Sequence, residues 1–529
     1  MLLTAFRRSC AAMYVLALVG TQARAQERAV LILLTPSDTF SMERFSRTAR
    51  QLNSELLIKA AGMRLTLDVA LGDRDRVESL RMEARQAASD RASPPAQRAM
   101  LVFRDDSVIA ELGAAGNVTV QRFATRDGAI PFLNPSFALM ELAVVRARGV
   151  DRDSTVANLF MVQGGTTVAA GIVRAGRDSV VVTVGGVVVR LAVSSNGEIL
   201  GGTIPAQGLR LVRVPDMGEG AMAAAPPDYS PPPGAPYTAE AVTVPTPMGH
   251  TLAGTLTMPT NARGPVPALV TITGSGSQDR DEAISLVKGY RPFRQVADTL
   301  ARHGIAVLRM DDRGYGSSGG NAATATSADF ADDIRAGLAY LRSRSDIDSR
   351  RLGLIGHSEG GLIAPMVAAQ DSTLRGIVLL AAPAEGGRRI LEYQQRFAIE
   401  HAPNLTAPQR DSAMRRIAPT IDSLAKSAPW MGFFVDYDPL ETARRVRVPV
   451  LILQGATDRQ VTAGQAEALA RAIRSDGNGD VTVRVFPGTN HLFVSDPDGN
   501  PAGYAALPSH AVRSDVLAAI LEWVVARMK

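Results

Sequence analysis

Residues 351–369 read RLGLIGHSEGGLIAPMVAA, and the organisation of the chain follows from how this stretch is read. An apolar run (Leu352 to Ile355) leads directly into Gly356-His357-Ser358-Glu359-Gly360, and a second apolar run begins at once. The pattern is a strand, a sharp turn and a helix. A G-x-S-x-G turn between such elements carries its serine on a strained elbow with the hydroxyl exposed, and it needs glycines where a side chain would clash. The motif alone is weak, since Gly316-Ser317-Ser318-Gly319-Gly320 matches it as well. Context separates the two. Ser318 follows Asp311-Asp312-Arg313-Gly314 and precedes Asn321 and Ala/Thr-rich sequence with no immediate helix, so Ser358 is the candidate nucleophile. The same glycines spell Gly314-x-Gly316-x-x-Gly319, a dinucleotide-like spacing. That fingerprint needs its first glycine at a strand end and a helix opening on the loop. Here the next helix pattern starts only near Ser327, so a tight turn is the reading.

Working outward, strands and helices alternate. Ala268 to Thr273, Gly304 to Met310, Leu352 to Ile355, Gly376 to Ala381, Val448 to Leu453 and Val481 to Phe486 read as buried strands. Phe293 to Leu300, Ser327 to Leu341 and Val512 to Met528 read as helices. Such alternation predicts an α/β fold, a mostly parallel, doubly wound sheet, whose ligands bind at the carboxyl ends of the strands. A serine hydroxyl near neutral pH needs a base, and the base an orienting acid. Asp458 follows the strand VPVLIL, and His491 follows VTVRVF within PGTNH. The chain order is then Ser358, Asp458, His491. Of the other histidines, His250 lies in a hairpin, His303 at a helix end, His357 in the elbow and His401 in an insert, while His510, before the last helix, is the competitor. An oxyanion hole is expected from the backbone N–H of Glu359 and one from Thr273-Gly274-Ser275-Gly276-Ser277, with Ser275 or Gly276 as donor. The run Gln278 to Glu282 reads as a salt-bridged loop, and no His/Cys ligand set accompanies it to hold a metal. Between Ala382 and Val446 the alternation stops. This insert (about 383–446) reads as a helical cap, and Trp430, Phe433 and Phe434 near its end are candidates to wall an apolar acyl pocket.

Before residue 237 the character changes. Pro215 to Pro236 is dense in Pro, Gly and Ala and reads as a linker. Residues 26–214 are mostly strand-like: Met63 to Leu71 alternate apolar and polar, and Val180 to Val184, Val187 to Val193 and Glu198 to Gly202 follow, with Asn196-Gly197 as a two-residue hairpin signal. An antiparallel β-meander is predicted, with no catalytic constellation and no histidine before His250. Residues 1–25 carry Arg7 and Arg8, a short apolar run from Cys10 to Gly20, and Ala23-Arg24-Ala25. This is the pattern of a cleaved signal peptide for export to the periplasm or beyond; the run is about half the length needed to span a bilayer, and an uncleaved membrane anchor is the alternative. Ser9-Cys10 does not suit a twin-arginine signal, and Cys10 is not placed for a lipoprotein. Removing the segment takes the only cysteine and lowers the formal charge from +5 to +2, which argues against nucleic acid as a partner. With 46% hydrophobic and 21% charged residues over 529 positions, the chain is globular and long enough for at least two domains.

From about residue 240 onward the chain resembles the α/β-hydrolase superfamily, in its bacterial carboxylesterase and serine-aminopeptidase-like branch. The resemblance rests on GSGSQDRDE (274–282), DDRGYGSSGG (311–320), GHSEGG (356–361), GATDRQV (455–461) and PGTNH (487–491), in family order. It implies a triad of nucleophile Ser358, acid Asp458 and base His491, esterase activity on a small-molecule ester, and no cofactor. One departure is Thr273-Gly274 where many members have His-Gly. Two alternatives stand beside the esterase. One is a peptidase on the same triad, with Glu359 or Asp436 anchoring a substrate amine; the other is a non-catalytic binding protein on a hydrolase scaffold.

Overall fold

The computed structural model describes residues 27–35, 39–59, 62–87, 95, 97–114, 117–216, 227–284, 287, 289–402, 405–426 and 428–528. The predicted signal peptide and much of the linker lie outside the described residues.

Among the described residues, fifteen strands between Glu27 and Pro215 form the first sheet, and nearly every strand pairs antiparallel with its neighbour in the chain. Two runs meet at Glu27–Leu34, which pairs with Thr39–Arg47 on one side and with Leu209–Pro215 on the other. The outermost strands, Asn117–Ala124 and Ile130–Phe132, bring the sheet ends together. Phe123 packs edge-on to Phe160 at 5.9 Å, and the hydroxyls of Thr125 and Thr167 lie 2.7 Å apart.

Three local readings are corrected here. The helix Phe137–Arg148 interrupts the predicted antiparallel meander, and Ile130–Phe132 runs parallel to Ser154–Met161. Residues Phe137 to Val144 are all buried, as expected of a helix apolar on every side. Asn196-Gly197 is not a two-residue hairpin: the chain turns across residues 194–198, with the N–H of Ser194 on the carbonyl of Glu198. The two-residue turn is Gly185-Gly186, where Val184 faces Val187 and both glycines have positive φ. That geometry matches the right-handed twist of the flanking strands and excludes most side chains.

The second sheet has eight strands in the order Tyr237–Pro245, Thr251–Pro259, Ala306–Met310, Val266–Ile272, Ile347–His357, Gly376–Leu380, Val450–Gly455, Val481–Phe486. The first two strands are antiparallel to their neighbours and the rest are parallel. Side chains alternate across it. Ala268, Val270, Leu352, Leu354, Ile377 and Ile452 face the helices Ser327–Ser343, Glu359–Ala368 and Gly464–Ser475. Leu269, Ile355, Val378 and Leu451 face Pro292–Ala301 and Ser514–Met528. Burial on both faces explains why these strands are continuous apolar runs rather than alternating ones. The insert after Gly376–Leu380 folds as the helices Gly387–Glu400, Ala407–Ala425, Pro429–Asp436 and Pro439–Ala443. The described part of the Pro-rich stretch leans on this second sheet's loops: the Arg280 guanidinium lies 4.2 Å from the centre of the Tyr229 ring, whose hydroxyl is 3.3 Å from Asp279.

Candidate active site

Ile347–His357 lies between Val266–Ile272 and Gly376–Leu380, and its last residue is followed by Ser358 and the helix Glu359–Ala368. Ser358 has φ +54° and ψ −117°, a backbone state that costs an ordinary residue about 1–3 kcal/mol. The turn closes because glycine occupies two contact points. A methyl carbon on Gly356 would sit 2.0 Å from the Gly360 carbonyl oxygen, and one on Gly360 would sit 2.1 Å from that of Ile272. Ser318 is placed differently. Its hydroxyl donates to the Asp311 carbonyl (2.8 Å) and accepts from the Ala253 N–H (2.9 Å), which ties it into a buried turn.

Asp458 and His491 follow two further strands and meet: Nδ1 of His491 is 2.8 Å from Oδ2 of Asp458. The carboxylate is buried, with Oδ1 accepting the backbone N–H groups of Gln460 (2.7 Å) and Val461 (2.9 Å), and Oδ2 also accepting Nε2 of Gln454 (3.0 Å). These bonds aim Oδ2 at the imidazole. With Nδ1–H donated to Asp458, Nε2 holds the ring's lone pair. The His491 ring lies against His357, the residue before Ser358, with ring centres 4.9 Å apart. The other histidines have structural partners. His250 bridges Thr246 and Asp333, His303 and His401 donate to the carbonyls of Thr299 and Phe397, and His510 to that of Tyr504.

The loop after Val266–Ile272 touches the elbow: a methyl carbon on Gly274 would lie 3.3 Å from Cβ of Ser358. The Gly274 N–H is committed to Oε1 of Glu282 (3.0 Å). Ser275 and Gly276 follow it on the exposed side. Its base is held by Asp312, which accepts from Thr273 Oγ1 (2.8 Å) and the Gln278 N–H (2.9 Å); burial pushes that carboxyl well above its usual range. The charged run 278–282 is an ion-pair hub. Arg280 pairs with Asp311 (2.7 Å), Arg309 with Asp281, and Glu282 with His357 (2.7 Å).

Glu359 carries more than a backbone donor. Its buried carboxyl accepts from Ser327 Oγ (2.6 Å), from Trp430 Nε1 (2.7 Å) and from the Ser275 side chain, while burial raises its pKa. A carboxyl so engaged is not free to bind a substrate amine. Of the predicted pocket residues, Trp430 is half-buried and stacks on Phe434 (ring centres 5.6 Å, planes within 6°), and Phe433 stacks on Tyr437. Phe434 is 7% exposed and belongs to the core with Ile390, so it fastens the cap rather than lining open space. Asp436 is exposed at the end of that helix. The Glu359 and Glu282 side-chain contacts were not anticipated, and only the positions of these residues inside motifs hinted at them. Among the described residues no cluster of three or more His, Cys, Asp or Glu could hold a metal ion, and no helix is long and apolar enough to cross a membrane.

Known proteins resemble this chain over its second half. The family described as serine aminopeptidase, S33, matches residues 286–498. The esterase EstD of Thermotoga maritima is 29% identical over 280 residues, covering 52% of this chain and 65% of that protein, a little under two thirds of its length. A monoacylglycerol lipase of Mycolicibacterium smegmatis is 22% identical over 223 residues, covering 39% of this chain and 78% of the lipase. Among solved structures, the Pyrococcus furiosus esterase Pf2001 aligns over 58% of this chain and 98% of its own at 17% identity, with a TM-score of 0.39. From Tyr237 onward the strand order and elbow described above are those of an α/β-hydrolase fold, and these sequence matches support a member of that superfamily.

Proposed function

We propose that this protein is a serine hydrolase that cleaves carboxylic esters through an acyl-enzyme on Ser358. The observation that carries the reading is the 2.8 Å contact between Asp458 and His491 beside the strained turn that presents Ser358. Ser358 Oγ attacks the ester carbonyl as His491 Nε2 takes its proton. The tetrahedral oxyanion is met by the Glu359 N–H, one of the unpaired donors at a helix start, and by a second from Ser275 or Gly276, since the Gly274 N–H is already engaged. His491 then protonates the departing alcohol, and a water deprotonated by the same imidazole frees the acid. Asp458 fixes the tautomer and steadies the imidazolium. Trp430 and Phe433, on the cap, border the acyl group.

The matches to an esterase and to a lipase support an ester as substrate. A peptidase on the same triad is the second reading, favoured by the serine aminopeptidase family match. It must do without Glu359 as an amine anchor, which leaves Asp436.

Ser358→Ala tests the reading. Turnover of short p-nitrophenyl esters is expected to fall by a factor on the order of 10⁴–10⁶, with labelling by a fluorophosphonate probe lost and the fold retained. Labelling of the variant at the wild-type rate would sink the assignment. Aminoacyl-amide turnover exceeding ester turnover would promote the peptidase.

A further inference from the structure

His357 sits one residue before Ser358, is 4% exposed, and has an acceptor on each ring nitrogen. On one side, Nδ1 is 2.7 Å from Oε1 of Glu282; on the other, Nε2 is 2.9 Å from the backbone carbonyl oxygen of His491. The same Oε1 accepts the Gly274 N–H at 3.0 Å. A carbonyl oxygen only accepts, so Nε2 must carry a hydrogen. As a carboxylate, Glu282 offers Oε1 lone pairs to both the Gly274 N–H and an Nδ1–H, the arrangement that satisfies all three contacts. A ring donating from both nitrogens is an imidazolium.

We propose that Glu282 and the His357 imidazolium are positioning residues that hold the oxyanion loop, the elbow and the His491 loop in one register. This rests on the reading of Ser358, Asp458 and His491 as the reacting groups. The carboxylate oxygen joins the loop at Gly274 to the elbow, and the imidazolium joins the elbow to the main chain of the base itself. Glu282 reaches this place from a left-handed backbone, φ +57°, which non-glycine residues rarely adopt. The pair neutralises itself, as a buried ion pair must.

The groups facing His357 are Glu282, the His491 ring and, further off, Asp458, with Phe493 edge-on at 6.2 Å. Burial works against the charged ring, but Glu282, the His491 carbonyl and Asp458 outweigh it and move its pKa upward. Glu282 in turn neighbours Tyr290 and Asp312. When His357 gives up its proton at alkaline pH, it must drop one of its two bonds. The register among the three segments then loosens.

The test uses the full-length protein and the pH dependence of kcat/KM on a p-nitrophenyl ester, which reports groups of the free enzyme. His357→Gln keeps an N–H donor for the His491 carbonyl but has no proton to lose. Its kcat is expected to fall about 10-fold with KM within about twofold, as for a base held less well, and the alkaline limb disappears while the acid limb stays. Glu282→Gln keeps an acceptor but removes the charge, so the alkaline limb moves down by about one pH unit or more. In the wild type, 15N-histidine NMR at pH 8 should show one ring still doubly protonated while the exposed histidines are neutral. Wild-type kcat and pH profile in both variants, or six neutral rings at pH 8, would overturn the proposal. Should Ser358→Ala keep wild-type turnover, the site reading itself falls. Should Ser358→Ala be inactive while His357→Gln and Glu282→Gln behave as wild type, only the positioning role falls.

Discussion

Both sheets of this protein bury carboxylates, and they use them for different ends. In the first sheet, Glu43 accepts from the hydroxyls of Ser54 and Ser136 and from the N–H groups of Phe137 and Ala138, capping the start of the helix Phe137–Arg148. Within that helix Glu141 meets the Ile199 N–H at 2.7 Å and Arg213 at 2.9 Å. Apart from the Ser54 bond, which joins two strands, each of these fastens the helix to the strands around it. In the second sheet, Asp458, Glu282, Asp312 and Glu359 join loops to one another around Ser358. Topology accounts for the contrast. A meander keeps neighbours in chain order, so its turns are short and divided between two ends. Parallel strands joined by crossovers gather several carboxyl ends on one edge, where loops far apart in sequence must be held together. Buried carboxyls support a fold in the first case and the proposed reacting geometry in the second.

Asp458→Asn strikes the second kind of use and should give the largest effect. The amide no longer fixes the His491 tautomer, so kcat for ester hydrolysis is expected to fall by about 10⁴ with little change in melting temperature. Loss of stability in parallel with activity would break the contrast. Glu43→Ala strikes the first kind. It strands two hydroxyls and two helix N–H groups in the interior, and a loss of roughly 3–5 kcal/mol is expected in the denaturant unfolding of the first sheet. Ester turnover per folded molecule should stay as in the wild type. A fall in turnover would show that the two sheets act as one.

How much of this was legible depended on whether a residue's neighbours lie near it in sequence. Ser358, Asp458 and His491 each follow an apolar strand, so strand ends alone indicated where to look; the alternation after residue 237 marked six of the eight strands, but neither their order nor the two antiparallel strands at the sheet's edge. The helix Phe137–Arg148 was missed because FALMELAVVRAR is apolar on every face. Periodicity detects a helix by its polar side, and this one has almost none; Ser136 as a cap was the available signal. The elbow histidine was set aside because the motif leaves that position open. Its bonds to Glu282 and to the His491 carbonyl span 75 and 134 residues, a separation no local pattern encodes. The Trp430 contact was hidden likewise: aromatic crowding at the cap's end suggested a pocket wall, while the indole N–H reaches Glu359.

Two smaller effects sharpen the comparison. Burial pushes the Glu141 carboxyl up to about 7, only partly opposed by Arg213. A raised folded-state pKa means that the acid's contribution to stability is complete below its ordinary value near 4.5 and is lost as pH rises to about 7. The helix of the first sheet should therefore weaken across that window. Glu141→Gln, close in shape to the protonated acid, removes this dependence. Relative to wild type it should gain on the order of 3 kcal/mol between pH 4.5 and pH 8, read from urea midpoints. A difference that is flat with pH would mean that Glu141 does not titrate there.

Trp430→Phe should give the smallest effect, and it bears on whether the cap belongs to the site or merely covers it. Phenylalanine can keep the stacking on Phe434 but removes the N–H that binds Glu359, leaving that carboxyl with Ser327 and Ser275. A single hydrogen bond to such a group is worth about 1–2 kcal/mol. Because Glu359 is also the proposed main-chain oxyanion donor, the loss should surface in chemistry: kcat/KM is expected to drop several-fold, more for long acyl chains that reach the cap than for acetate. An unchanged kcat/KM with a lowered melting temperature would make the indole bond a fastening of the first sheet's kind, and the division between the two sheets would then stop at the cap.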